Sequence, residues 1–319
     1  MKQLLLASAI LLLSGCGRLI TIEPVPTDPI AAASPTPTPI TERPDRELER
    51  ELAALIEGFD GEVGVGAMVI ETGESAYVHR DGRFPMMSVY KLPISMAVLK
   101  LVDEGRIKLD QEMIITREDF VRPGFHSPIR NMNPGGTVMP LDEILSYSIS
   151  ESDGTASDVL LEVAGGPGEV QKYLASIGLS DGMVVADSEK SIGKDWETQY
   201  RNWSTPEASV NLLAALQTRQ AGLSERTTEL LLGTMVDTET GRRRLKAGLP
   251  KDTTLAHKTG TGGTKDGVTG ATNDIGIVTL PNGNHVALAV FVKDSRADLW
   301  SRENIMARIA EAVWSRWAE

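Results

Sequence analysis

IGIVTLPNGNHVALAVFV, Ile275 to Val292, is the stretch on which the fold class turns. Two runs of mainly apolar and β-branched residues, Ile275 to Leu280 and Val286 to Val292, flank Pro281, Asn282, Gly283 and Asn284, the composition of a β-hairpin. A further strand is expected at Thr254 to Thr259, and two more near the other end, Glu62 to Ile70 and Ser75 to His79, parted by the turn residues Thr72 and Gly73. Helices flank these strands. Leu48, Leu52, Leu55 and Phe59 recur at helical spacing after Asp45, and Ile305, Ile309 and Val313 do so near the C-terminus, with Trp314 and Trp317 beside them. A helix is also expected from Ser88 to about Glu104, stopped at Gly105. The middle reads as short helices: Leu141 to Ser148, Thr155 to Ala164, Gly168 to Ile177 and Pro206 to Leu216. Strands and helices at both ends bracket a helical middle. The expected architecture is therefore an α/β domain from residues 45–87 and 236–319, with an all-helical domain, 88–235, inserted and a ligand cleft between them.

The chain has 319 residues, 41% of them apolar, enough to bury a substantial core. Its net charge of −12 argues against a nucleic-acid partner, whose phosphates require Lys and Arg. Before the folded part, Met1 and Lys2 precede an apolar run from Leu4 to Leu13, which has the length of an export signal and is short for a bilayer span. That run closes on LSGC, Leu13 to Cys16, which resembles the lipobox of bacterial lipoproteins. The resemblance implies a signal peptide at 1–15, lipidation of Cys16 and an exported, membrane-anchored protein on the periplasmic or cell-surface face. Cys16 is the only cysteine, so no disulfide can form within the chain. Prolines at 24, 26, 29, 35, 37, 39 and 44 make residues 16–44 an extended tether from that anchor to the catalytic region, 45–319.

Three short motifs carry chemistry. In SVYK, Ser88 and Lys91 stand three residues apart, so on a helix a hydroxyl and an amine share a face. A serine hydroxyl attacks only if a base removes its proton, and a desolvated lysine near a second cation can be that base. A helix start also offers free N–H groups to a developing oxyanion. In SDG, Ser152 can relay a proton while Asp153 holds the turn through backbone N–H groups. In HKTGTGG, Lys258 ends a strand beside Gly260, Gly262 and Gly263, where a ligand carboxylate can approach the backbone. Taken singly, each also reads as a helix cap, an N-cap or a surface cation. No GxxxxGK[ST] phosphate loop is present, and His79, His126, His257 and His285 are scattered without metal-ligand spacing, so neither metal nor cofactor is expected.

In combination, SVYK, SDG and KTG resemble the motif set of penicillin-recognising serine enzymes, which the SxxK, SDN and KTG signature describes, with Gly154 the one mismatch. YSISESDGTASDVLLE, KDWETQYRNWSTP, LAHKTGTGG and TNDIGIVTLPNG are similar to class A serine β-lactamases, particularly the extended-spectrum branch. That resemblance runs from about Asp45 to the C-terminus and implies an antiparallel sheet between helical layers, a three-layer sandwich with an inserted helical domain, in a chain that works as a monomer. It implies hydrolysis of β-lactam antibiotics through an acyl-enzyme on Ser88, conferring resistance. Lys91, or Glu189 acting through water, would be the acylation base, and Glu189 in DSEKSIG the deacylating one. Ser152 would protonate the leaving nitrogen, and the N–H groups of Ser88 and Thr261 would hold the oxyanion. Lys258, Thr259, Gly260 and Thr261 would bind the substrate carboxylate, with Arg244 replacing a cation absent from the strand TNDIG, where Asp274 stands.

Four departures bear on that picture. Gly154 stands where an asparagine contacts substrate, Gly193 where a water-holding Asn or His is usual, Asp187 and Asn202 where an ion pair closes the loop, and His126 where an aromatic wall lines the cleft. A D-alanyl-D-alanine carboxypeptidase or transpeptidase, or a penicillin sensor that stays acylated, shares the three motifs. Glu189 favours the hydrolase.

Overall fold

The computed structural model describes residues 40–192 and 194–318. The signal segment, Cys16, the tether up to residue 39 and Gly193 lie outside the described residues.

The elements are, in order, β1 (Arg43–Pro44), α1 (Arg46–Ile56), β2 (Glu62–Val69), β3 (Glu74–Val78), β4 (Phe84–Pro85), α2 (Lys91–Asp103), β5 (Glu112–Ile115), α3 (Pro128–Met132), β6 (Thr137–Pro140) and α4 (Leu141–Ile149). There follow α5 (Gly154–Val163), α6 (Pro167–Ser176), β7 (Met183–Val184), α7 (Glu189–Ile192), β8 (Trp203–Ser204), α8 (Pro206–Gln217) and α9 (Glu225–Val236). The chain closes with β9 (Leu255–Thr261), β10 (Thr264–Lys265), β11 (Val268–Thr279), β12 (His285–Ser295) and α10 (Leu299–Trp317).

The fold is α/β, as expected. β3, β2, β12, β11 and β9 form a continuous antiparallel sheet, and β1 joins its edge parallel to β3, which makes the whole sheet mixed. Side chains alternate across the strands. Val63, Val65, Ala67 and Val69 of β2 pack with Leu48 and Leu52 of α1 and with Ile305, Ile309 and Val313 of α10. Met68, Ala287, Ala289 and Phe291 face the other way, into one core shared with Leu92, Leu145, Leu160 and Leu213 of the central helices. Helix starts are set by capping residues: Asp45, Asp153, Thr205 and Asp298 each accept backbone N–H groups of the first turn.

The main strands and helices fall where sequence periodicity puts them, with three informative differences. Residues 88–235 are not all helical as expected, because they also hold the antiparallel pair β5–β6 and the short strands β7 and β8, each too short to show a strand period. β11 begins at Val268, seven residues before the expected start. Its polar stretch carries no apolar signal, yet Thr272, Asn273 and Asp274 are buried because they pair with Thr261, Gly260 and Thr259 of β9. At Ser88 a 3₁₀ turn, Met87–Tyr90, precedes the α-helix proper, which starts at Lys91. Met87 sits at φ 47, and Pro93 falls in the first turn of α2, where proline is tolerated. Among the described residues no helix is long and apolar enough to cross a membrane.

Candidate active site

A cleft of about 860 Å³ is lined by Ser88, Ser152, Glu189, Arg244, Thr259 and Thr261, among others. At its floor the nucleophile candidate is held from two sides. Asn273 of β11 donates from Nδ2 to the carbonyls of Pro85 (2.7 Å) and Met86 (3.0 Å), fastening the sheet to the segment entering Ser88. Strand β9 passes so close that a Cβ on Gly260 would lie 2.4 Å from Met86 O. The left-handed backbone at Met87 and again at Ser152 (φ 58) marks strain on both sides of the cleft.

Two buried lysine side chains bracket Ser152. Lys91 Nζ donates to the Ser152 carbonyl at 2.7 Å and lies 3.6 Å from Glu189 Oε2. Lys258 Nζ donates to Ser152 Oγ at 2.9 Å and to Thr259 O at 3.2 Å. Among the described residues no hydrogen bond joins Lys91 to the Ser88 side chain. Burial, reinforced by the neighbouring Lys91 charge, pushes the Lys258 amine well below its usual value. Asp153 is buried and accepts from Ser127 Oγ, Ile129 N and Ala156 N, so it fixes the turn that presents Ser152.

Glu189 opens α7 on the opposite wall. Asp158 of α5 accepts the N–H of Glu189 (2.6 Å) and of Lys190 (3.0 Å), while Lys190 Nζ reaches Glu118 O at 2.7 Å. The neck of this loop is closed by Asn202, whose side chain accepts from Ala186 N and Asp187 N and donates to Asp187 O. Asp187 pairs instead with Arg201 at 3.1 Å. Three hydrogen bonds and a displaced ion pair thus do the work of the ion pair that the sequence lacks at Asp187 and Asn202. Gly154 is buried, and a Cβ there would come within 2.9 Å of Glu189 Cγ, so the space of the missing side chain is taken by Glu189 itself.

Burial raises Asp158 to about 6, more than its two backbone hydrogen bonds lower it. Its folded value exceeds the unfolded 3.8, so this group favours the fold below pH 4 and that contribution is lost as pH rises through 6. The displacement corresponds to roughly 3 kcal/mol. Asp158→Asn is expected to remove this component, giving a melting temperature that falls less between pH 4 and 7 than the wild type's. Parallel melting curves for the two proteins would count against it.

Arg244 is the one arginine of its run that lines the cleft. Its guanidinium donates to Gly260 O (3.1 Å), Asn273 O (2.8 Å) and Thr261 Oγ1 (2.7 Å), and pairs with Glu303 of α10 at 3.4 Å. Asp274 serves the interior: it lies 2.8 Å from His257 Nδ1 and accepts Leu245 N. His126 lines the cleft mouth, exposed, with Nε2 2.8 Å from Glu151 O and its own carbonyl accepting Gly154 N. Among the described residues no three His, Cys, Asp or Glu side chains gather as a metal site.

The structure therefore brings Ser88, Lys91, Ser152, Glu189, Lys258, Thr259, Thr261 and Arg244 to one cleft, although they come from five separate segments. Sequence reasoning missed Tyr90, Asp158, Asn273 and Glu303. Only Tyr90 carried a local signal, since it lies inside SVYK, where it reads as a spacer.

A model of the beta-lactamase enzyme family matches residues 47–317. The chain belongs to this family. Beta-lactamase VEB-1 of Pseudomonas aeruginosa is 37% identical over 269 residues, 84% of this chain and 89% of that protein. The extended-spectrum beta-lactamase PER-1 of the same organism is 37% identical over 268 residues, 84% of this chain and 86% of its own. Among solved structures, a beta-lactamase from Chitinophaga pinensis superposes with a TM-score of 0.82 at 39% identity, covering 85% of this chain and 99% of the other. The TLA-3 extended-spectrum beta-lactamase does so at 0.83 and 35%, over 86% and 99%. This β-lactamase is a serine hydrolase of class A type, with the fold of those relatives.

Proposed function

We propose that the cleft hydrolyses β-lactam antibiotics by acylation and deacylation of Ser88, conferring resistance, as a member of the extended-spectrum branch. Ser88 Oγ attacks the lactam carbonyl. Its proton goes to Lys91 or, through a water, to Glu189. The oxyanion lies between the N–H groups of Ser88 and Thr261, donors on two separately fixed segments. Ser152 passes a proton to the departing nitrogen, and Lys258 Nζ is already at its hydroxyl. Lys258, Thr259, Gly260 and Thr261 face the substrate carboxylate, with Arg244 orienting Thr261 Oγ1. Glu189 then activates the water that frees the acyl group.

The observation that carries this reading is Ser152 held between two buried lysine amines, with the Glu189 carboxylate 3.6 Å from one of them. Such a constellation moves protons in both halves of an acyl transfer. From the N-terminal sequence we further propose export and a lipid anchor at Cys16 on the periplasmic or cell-surface face, and from the family resemblance a monomeric catalytic region.

A chromogenic cephalosporin offered in large excess tests the reading. Expected are sustained turnover over many equivalents and, after acid quench, one acyl unit on the peptide containing Ser88 by mass spectrometry. A single stoichiometric burst identifies a sensor. Release of D-alanine from a D-alanyl-D-alanine peptide without sustained lactam turnover identifies a carboxypeptidase.

A further inference from the structure

Tyr90 is fully buried at the start of α2, and its hydroxyl donates to Glu189 Oε2 at 2.8 Å across 99 residues of sequence. Ser157 of α5 donates to the same phenol oxygen at 3.3 Å, which polarises the O–H toward the carboxylate. Lys91 Nζ stands 3.6 Å from that same Oε2. One carboxylate oxygen is thus loaded by two groups of the interior. Oε1 accepts from no side chain among the described residues, and Glu189 lines the cleft.

A buried phenol that lacked a partner would be costly, so the bond is under strong demand from both ends. Burial, with the negative charges of Glu189 and Asp158 nearby, holds the Tyr90 hydroxyl well above its usual value, so it remains a donor across the working pH range. The place of Glu189 is also narrow, because its Cγ fills the space a side chain on Gly154 would need. The charged groups facing Glu189 are Lys91 of α2, Asp158 of α5 and Lys258 of β9, while Lys190 of its own helix turns its ammonium to the Glu118 carbonyl.

We propose that Tyr90 is a positioning residue for deacylation: its hydroxyl fixes the Glu189 carboxylate with Oε2 turned to the interior and Oε1 left for the attacking water. The inference rests on the reading of Glu189 as deacylating base. A phenol O–H donating to a carboxylate stabilises the anion, so its removal raises the proton affinity of the acid and frees the side chain to rotate. Tyr90→Phe keeps the ring and deletes only the donor.

The test is the pH profile of the deacylation rate, from stopped-flow with a chromogenic cephalosporin between pH 4.5 and 8, for wild type, Tyr90→Phe, Ser157→Ala and Glu189→Gln. Tyr90→Phe is expected to move the acid limb upward by about one pH unit and to slow deacylation about tenfold at neutral pH, with acyl-enzyme accumulating. Ser157→Ala is expected to move the limb the same way by less, and it carries the test if Tyr90→Phe does not fold. An acid limb that stays put in the folded variants, whether or not the rate falls, marks Tyr90 as mere packing and overturns the proposal. If Glu189→Gln still turns over at the wild-type rate, the base itself was misassigned and both readings fall.

Discussion

Glu189→Ala is expected to take up one equivalent of a chromogenic cephalosporin in a burst and then turn over about 10²–10⁴ times more slowly than the wild type, the usual worth of a positioned general base. The expectation follows from where this carboxylate sits. Its backbone N–H is fixed by Asp158 and its Oε2 by Tyr90, so an alanine leaves the loop anchored while deleting the cleft-lining carboxylate that stands 3.6 Å from Lys91 Nζ. The proposed nucleophile Ser88 and the pair proposed to serve the leaving nitrogen and the substrate carboxylate, Ser152 and Lys258, are untouched. If acylation runs through Lys91, the burst keeps nearly its wild-type rate; if it runs through Glu189 and water, burst and release slow together. Stopped-flow kinetics, with mass spectrometry of the trapped protein, separates these outcomes. Undiminished steady turnover in the variant would remove Glu189 from the mechanism.

Gly260→Ala is expected to lower kcat/KM about 10²-fold by misplacing the oxyanion donors rather than by removing any polar group. The added Cβ would stand 2.4 Å from Met86 O, with Asn273 Nδ2 and Met87 Cβ both at 3.2 Å. That contact must open by more than half an ångström to reach van der Waals separation. Strand β9 cannot easily retreat, since Leu255 to Thr261 are paired with β11 throughout. The relief therefore falls on the turn that carries Ser88. One proposed donor, Thr261 N, stays with the sheet while the other, Ser88 N, moves with the turn. Overpacking of this kind costs about 1–3 kcal/mol, so thermal unfolding should show a lowered midpoint in a protein that still folds. Wild-type acylation kinetics in the variant would sink the argument.

The residues legible beforehand were those whose neighbours in sequence are also their neighbours in function. Ser88 with Lys91 is a helical spacing, KTG is a strand end with its own glycines, and SDG is a capped turn. The loop acid Glu189 could be placed only through the resemblance, because nothing within DSEKSIG distinguishes it from an exposed carboxylate. The three arginines show the limit well. Arg242, Arg243 and Arg244 are equivalent as a charge run, yet Arg242 pairs with Glu239 at the surface and Arg243 with Glu303, while only Arg244 turns under β9 to meet two carbonyls and Thr261.

By itself the sequence determined the long strands, most of the helices and the reactive groups of SVYK, SDG and KTG, because periodicity, caps and turn residues act within a few positions along the chain. The pairing of those groups was decided by the tertiary structure alone. Asn273 reaches Pro85 across 188 residues, Tyr90 reaches Glu189 across 99 and Lys258 reaches Ser152 across 106. Contacts at such separations are set by how the sheet, the capped helices and the buried cations share one interior. There a polar group left unpaired is costly, and its partner is whichever donor or acceptor the packing brings within 3 Å.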